Sequence, residues 1–194
     1  MLIVCAEPAV VEAELLAGGL SCPLCRAVLG PWGHGRERVL RCRGADRRLV
    51  PRRARCRGCL GTHVLLPDIG LLRRRDEVAV IGAAVEASVA GQGYRRIAGW
   101  LGLPADTVRG WLSRFAARAD VIREHFTRCA IVLDPELGPI MPAGSVVADA
   151  LEAIAVTARA WVLRFGPVDP WPVVSRLSGG VLLATRAPAF PWAA

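Results

Sequence analysis

YRRIAGWLGLPADTVRGW, running from Tyr94 to Trp111, is the stretch on which the reading of this chain turns. Its apolar residues Ile97, Leu101, Leu103, Val108 and Trp111 recur at the spacing of two short helices that share a core. With Tyr94 as position one, Ala98 is fifth, a small residue where two helices can cross closely. Gly102 is ninth, where a tight turn needs left-handed backbone that glycine adopts at least cost. Pro104 stands at the start of the second helix, where its missing N–H is not needed. Asp106 falls in the first turn of that helix, where the helix dipole favours a carboxylate.

Upstream, Val78, Ile81, Val85 and Val89 also recur at helical spacing. Asp76 is placed as the N-cap of that helix, with Glu77 in its first turn and Gly91-Gln92-Gly93 as its stop. The reading is a tri-helical unit with helices at 76–90, 94–101 and 105–119, in a domain from 72 to 128. Over these residues the chain resembles the bacterial helix-turn-helix DNA-binding family. The resemblance implies double-stranded DNA as partner, with the third helix entering the major groove. On that helix Val108, Trp111, Leu112 and Phe115 face inward, while Ala105, Asp106, Arg109 and Gly110 face outward near its N-terminus, where base edges are read. Arg109 is the candidate for a bidentate contact to guanine. Arg95, Arg96, Arg114 and Arg118 are assigned to phosphates. Asp106 is read as serving the helix start rather than a cytosine. Gly110 inside a helix costs about 1 kcal/mol against alanine, and close approach of DNA is the reason offered for it.

The charge is distributed to match. The 194 residues carry a net charge of +8, and every basic residue is arginine. Residues 26–75 hold fourteen arginines against three acids, whereas residues 1–25 hold three acids and no arginine. Residues 76–128 are close to balanced and 129–194 are slightly acidic. So dense a block of arginine implies phosphate contacts and salt-dependent binding.

Within that block lies a second pattern. Cys22-Pro23-Leu24-Cys25 and Cys56-Arg57-Gly58-Cys59 are two CxxC pairs. Two intervening residues allow a tight knuckle whose sulfurs face one ion, and four thiolates in tetrahedral array favour a structural Zn2+. Four cysteines close the coordination sphere, which argues against a catalytic zinc. Disulfides and redox thiols are disfavoured by a reducing compartment and by the lack of a thioredoxin-like pattern. Arg36–Arg43 and Arg47–Arg55 are read as two strands around a Gly44-Ala45-Asp46 turn, which makes residues 20–67 a zinc ribbon with a β-hairpin between its knuckles. Arg52, Arg53 and Arg55 of that hairpin are assigned to phosphates. Cys42, His34 and His63 are the competing ligands. Cys42 is read as a half-buried thiol, His34 as a loop residue and His63 as a packing or hydrogen-bonding residue, with Cys5 and Cys129 as core thiols.

The order CPLC, arginine-rich hairpin, RARCRGCLGTHVLLP and helix-turn-helix is similar to the N-terminal half of certain insertion-sequence transposases. It is more similar still to a family of small actinobacterial proteins that pair a ribbon with a helix-turn-helix. This resemblance spans roughly residues 20 to 120 and implies a transposon-associated or promoter-bound role, with a transposase or the transcription machinery as further partner.

The flanks are read more coarsely. Residues 1–19 form a strand at Leu2–Cys5 and a helix at Pro8–Leu16 stopped by Gly18-Gly19. After the prolines 135, 139 and 142, Gly144-Ser145 opens a helix with Val147, Leu151, Ile154, Ala158, Trp161 and Phe165 as its apolar positions. A short helix from Trp171 to Leu177, a Gly179-Gly180 break and a tail ending in Pro191-Trp192 complete the region 134–194. Its tryptophans suit packing on the first helix, a homodimer or a docked partner. No signal segment is read, and Asp149, Glu152 and Arg159 interrupt the longest apolar run, so the expectation is a cytoplasmic protein off the membrane. The region after the helix-turn-helix is too short and too helical for a three-carboxylate nuclease core, and no phosphate loop, Ser/His/Asp set or HExxH occurs. The expected whole is a mainly α, non-enzymatic DNA-binding protein whose ribbon and helix-turn-helix share a binding surface.

Overall fold

The computed structural model describes residues 1–184 and Phe190. The chain divides into two compact units, Met1–Glu77 and Val78–Ala194. The expected tail at Pro191-Trp192 lies outside the described residues.

The N-terminal unit holds both sheets. A four-stranded sheet has the order β1 (Leu2–Val4), β6 (Thr62–Pro67), β5 (Arg52–Cys56), β2 (Leu29–His34). β6 and β2 run antiparallel to β5, and β1 runs parallel to β6. Helix α1 (Pro8–Ala17) starts on a proline at its first turn and ends on Gly18 in left-handed conformation, the one position there that needs φ of 71°. It lays Val11 and Leu15 on the sheet, where they join Val4, Leu29, Ala54, Leu65, Cys22 and Cys56 in one core.

The expected hairpin around Gly44 is present but shorter: β3 (Arg38–Leu40) pairs with β4 (Arg47–Leu49) as a separate two-stranded sheet. Pro51 interrupts the second expected strand, because proline cannot donate to a ladder. The chain beyond it leaves the hairpin and becomes β5, in the main sheet. β2 and β6, the two partners of β5, were not anticipated. Their sequences, LGPWGH and THVLLP, lack the polar alternation of a half-exposed strand or carry glycine and proline, so period alone does not show them.

Asp76 does not cap a helix. Its carboxylate meets Arg41 at 2.6 Å, and residues 75–77 run beside β3, with Arg41 donating to Arg75 O and Glu77 donating to Arg41 O. Burial pushes the Asp76 carboxyl above its usual range even with Arg41 beside it.

The C-terminal unit is all helix: α2 (Val78–Val89), α3 (Tyr94–Leu101), α4 (Ala105–Ala116), α5 (Ala119–Leu133), α6 (Val146–Phe165) and α7 (Pro170–Leu177). α2, α3 and α4 pack on one another, with Val78, Ile81, Val85, Ile97, Ala98, Val108, Trp111 and Phe115 buried. Gly102 closes α3 with φ of 65°, as its place at the turn required. Arg118 breaks the run between α4 and α5, so the segment after 118 is a separate helix.

α6 begins on Ser145, whose hydroxyl accepts from the Ala148 N–H at 3.2 Å. Ile154 and Ala158 of the expected face are buried, but its larger members are not. Ala148, Ala150, Ala153, Ile154, Val156, Thr157, Ala158 and Ala160 are buried, whereas Leu151 and Trp161 are half-exposed and Phe165 is exposed. Small residues let α6 approach α5 closely, and Thr157 donates its hydroxyl proton within reach of both Phe126 O and Ala153 O, each at 2.7 Å. α7 then packs on α2 through Trp171, so the C-terminal region covers the first helix of this unit.

Candidate metal centre and basic surfaces

Four sulfurs converge at one end of the main sheet. Sγ atoms of Cys22, Cys25, Cys56 and Cys59 all lie within 4.8 Å of one another, a set that can hold a metal ion. Cys22 and Cys59 are 3.8 Å apart and Cys25 and Cys56 are 3.3 Å apart. Cys22 and Cys56 are buried, and Cys25 and Cys59 are exposed.

The two knuckles repeat one local geometry. The N–H of the first cysteine donates to a carbonyl five residues on, Cys22 to Ala27 O at 2.8 Å and Cys56 to Gly61 O at 2.9 Å. Backbone N–H groups point at the first sulfur of each knuckle: Leu24 at Cys22, and Gly58 and Cys59 at Cys56. The residue after the second cysteine is left-handed in both, Arg26 with φ of 64° and Leu60 with φ of 61°. Neither is glycine, and such backbone persists only where the surroundings over-determine it.

Gly58 shows how tightly the knuckles meet. A Cβ there would come to 2.8 Å from Ala27 Cβ and 3.4 Å from Cys25 Sγ. The cluster also divides its protons unevenly. The Ala27 N–H and the Cys56 thiol pull Cys25 down to about 6. The Gly61 N–H draws Cys59 down, but Cys56, Cys25, burial and Cys22 together push it up to about 11. Four thiols this close cannot all ionise without a cation between them.

The three competing ligands stand apart from the set. His63 is buried, with Nε2 3.4 Å from Cys22 Sγ, which is a hydrogen bond to a member of the cluster. Cys42 lies beyond β3 and donates to Leu40 O, and burial raises its thiol. His34 ends β2 and, with Cys5, Glu12 and Arg52, lines a cavity of about 230 Å3 between α1 and the hairpin.

The arginines assigned to nucleic acid fall into two groups. Arg95, Arg96 and Arg109 are exposed, and Arg109 sits over the Tyr94 ring at 6.0 Å with Asp106 at 3.0 Å. Ala105, Asp106 and Gly110 share its end of α4, Asp106 exposed and the other two half-exposed.

Others have partners inside the protein. Arg52 clamps the Glu12 carboxylate with Nε at 2.8 Å and Nη2 at 3.1 Å, and donates to Gly33 O. Arg118 is half-buried, lies over the Phe190 ring at 4.9 Å and donates to Ala184 O. Arg114 donates to Gly110 O at 2.8 Å, and a Cβ on Gly110 would come to 2.7 Å from its Nη1. The open side of Gly110 therefore accommodates a guanidinium of its own helix. Arg53 reaches Thr62 Oγ1 at 3.3 Å, and Arg55 lies 4.6 Å over the Trp32 ring.

Gly58 and Trp32 were not singled out in the sequence. Gly58 carries a signal in its place within the knuckle, but Trp32 sits in PWGHG, which reads as loop until its strand partner is known.

No protein-family model, curated protein or solved structure matches the chain. No described helix is long and apolar enough to cross a membrane.

Proposed function

We propose that the protein is a non-enzymatic binder of double-stranded DNA, with a zinc-ribbon N-terminal unit and a helix-turn-helix in its C-terminal unit. The observation that carries the reading is the pair α3 and α4. Gly102 turns left-handed between them, Ile97, Ala98, Val108, Trp111 and Phe115 are buried beneath them, and Arg95, Arg96 and Arg109 stay exposed. α4 is the recognition helix. Arg109 reads guanine after releasing Asp106, an exposed ion pair worth less than about 1 kcal/mol. Arg95 and Arg96 take phosphates, and Arg53 and Arg55 add phosphate contacts from β5. Arg52, Arg114 and Arg118 position structure instead.

The metal is zinc. Zinc held by four thiolates at about 2.3 Å has sulfurs about 3.8 Å apart; Cys22 and Cys59 stand at that spacing, and Cys25 and Cys56, at 3.3 Å, would open by about half an ångström around the ion. Bound there, zinc would balance the thiolates and tie the two knuckles together. Cys22, Cys25, Cys56 and Cys59 would hold it, Gly58 leaves them room, and His63 donates to Cys22.

Selection of duplexes from a random pool by the purified protein tests the DNA reading and defines the site, whether a promoter or the end of a mobile element. On the selected duplex Arg109→Ala costs roughly 1–3 kcal/mol and flattens discrimination. Arg53→Ala weakens selected and scrambled duplexes alike and lowers the salt slope by about one. Failure to enrich any duplex, or equal loss on both duplexes with Arg109→Ala, overturns the assignment of α4.

A further inference from the structure

The outer face of the main sheet has a composition that duplex phosphate contacts do not explain. Ala54 and Cys56 of β5 point into the core, so Arg53, Arg55 and Arg57 share the opposite side. Arg55 and Gly30 pair across the ladder to β2, and Arg55 and Thr62 pair across the ladder to β6. The register slips between Pro31 and His34, and this irregularity turns Trp32 out beside Arg55. Trp32 is 47% exposed, although a large aromatic side chain in a strand ordinarily helps to fill a core.

Three guanidiniums share this face, one of them on the ring itself. Arg55 stacks on it at 4.6 Å, Arg53 is fixed by Thr62, and Arg57 extends over Gly30, where a Cβ would stand 3.6 Å from its Nε. No acidic residue occurs in β2, β5 or β6. The face is thus cationic with an exposed aromatic ring on its edge strand, β2.

The geometry points to a single-strand nucleic-acid site, in which an unpaired base stacks on Trp32 and the flanking phosphates meet Arg53, Arg55 and Arg57. A base inside a duplex offers no π-face to a side chain, so the ring has no use against B-form DNA. Against an unpaired strand it supplies stacking that any base satisfies, while the arginines track the backbone. Binding here is tolerant of sequence, falls with salt, and is separate from readout by α4. It goes beyond the duplex reading and does not require it.

The test uses the full-length protein, with labelled oligothymidylate and oligouridylate of about twelve nucleotides and a scrambled duplex as probes. Trp32→Ala is expected to weaken the single strands roughly ten-fold or more and to leave the duplex nearly unchanged, with Trp32→Phe in between. Arg109→Ala is expected to leave the single strands unchanged. A 5-bromouracil-substituted strand, irradiated with the wild-type protein, is expected to cross-link at Trp32, a readout that does not depend on any variant folding. The DNA and RNA probes show which sugar is preferred, and binding of either is the expected result. Binding of neither strand, a cross-link mapped elsewhere, or equal loss on strand and duplex with Trp32→Ala overturns the proposal.

Discussion

Two of the eight buried side chains that cluster between α1 and the main sheet, Cys22 and Cys56, also belong to the thiol cluster. The C-terminal unit has no such dependence among its described residues. Phe115, Phe126, Ile81, Ile97, Ile122 and Leu182 are fully buried there, and six helices lean on them. Small domains with few apolar side chains need a staple, and larger helical ones do not. One unit therefore has a point at which a bound metal would tie it, and the other has buried area alone to draw on. The two should respond differently to every perturbation that separates these sources.

Metal removal is the largest. A chelator, or the double substitution Cys22→Ser with Cys56→Ser, is expected to unfold residues 20–67 and leave the helices after Val78 intact. Limited proteolysis with mass mapping reads the first, and helical circular dichroism reads the second. Elemental analysis should find about one zinc per chain. An N-terminal unit that stays protease-resistant without metal would erase the contrast.

Gly82 offers the reverse perturbation. A Cβ there would sit 1.8 Å from Trp171 Cε2, so the indole lies against bare helix backbone and donates from Nε1 to Glu86 at 3.0 Å. Gly82→Ala must expel the indole and break that bond, at a cost of about 3 kcal/mol by overpacking. Thermal unfolding should show the loss in the helical unit, with metal content unchanged. In a Trp171→Ala background the same substitution should cost almost nothing. Equal cost in both backgrounds would mean that Gly82 matters for some other reason.

Gly58→Ala is the matching change in the thiol unit. The new methyl meets Ala27 Cβ and parts the knuckles, so zinc affinity should fall about ten-fold. Ala27→Gly should restore it. Competition with a chromophoric chelator measures both.

The smallest effect concerns pH. Burial holds His125 below its ordinary value, with Leu177 O accepting from Nε2 at 3.0 Å and the Phe190 ring stacked at 4.3 Å. Leu177 O works against the burial and the Arg128 charge works with it. The unfolded chain binds this proton more readily, so the histidine contributes fully above about pH 6.5 and its contribution is lost as pH falls below that value. Urea unfolding of the helical unit between pH 7.5 and 5 should show the decline, and His125→Gln should flatten it. A slope that survives in His125→Gln assigns it to another group.

The helical unit was the more legible of the two, because its helices announce themselves locally. The apolar spacing from Val78 to Phe115, the glycines at 91, 93 and 102, and Ser145 before α6 all act within a few residues of their own position. What the spacing overstated was bulk. Ile154 is buried as its spacing predicts, but Leu151 and Phe165 read as core while α6 buries mostly alanines, because the distance between two helices is set by the partner helix.

The N-terminal unit was legible at its cysteines and obscure at its strands. CxxC spacing acts locally and needs no knowledge of the sheet. β2 pairs with β5, and β6 with β5 and β1, and Pro51 sends the chain into that sheet instead of completing the hairpin. The same holds for side chains with a choice of partner. Asp76 reads as a cap until Arg41 is seen beside it, and Arg52 reads as a phosphate ligand until Glu12 takes it.

The sequence alone therefore determined what depends on neighbours along the chain: the α3–α4 turn at Gly102, the two cysteine knuckles and the block of arginine between them. Only the tertiary structure decided which arginines stay exposed, that Gly58 is needed for the knuckles to meet, and that Trp32 stands under Arg55. Each of these turns on residues brought together from distant parts of the chain, and local spacing carries no information about such encounters.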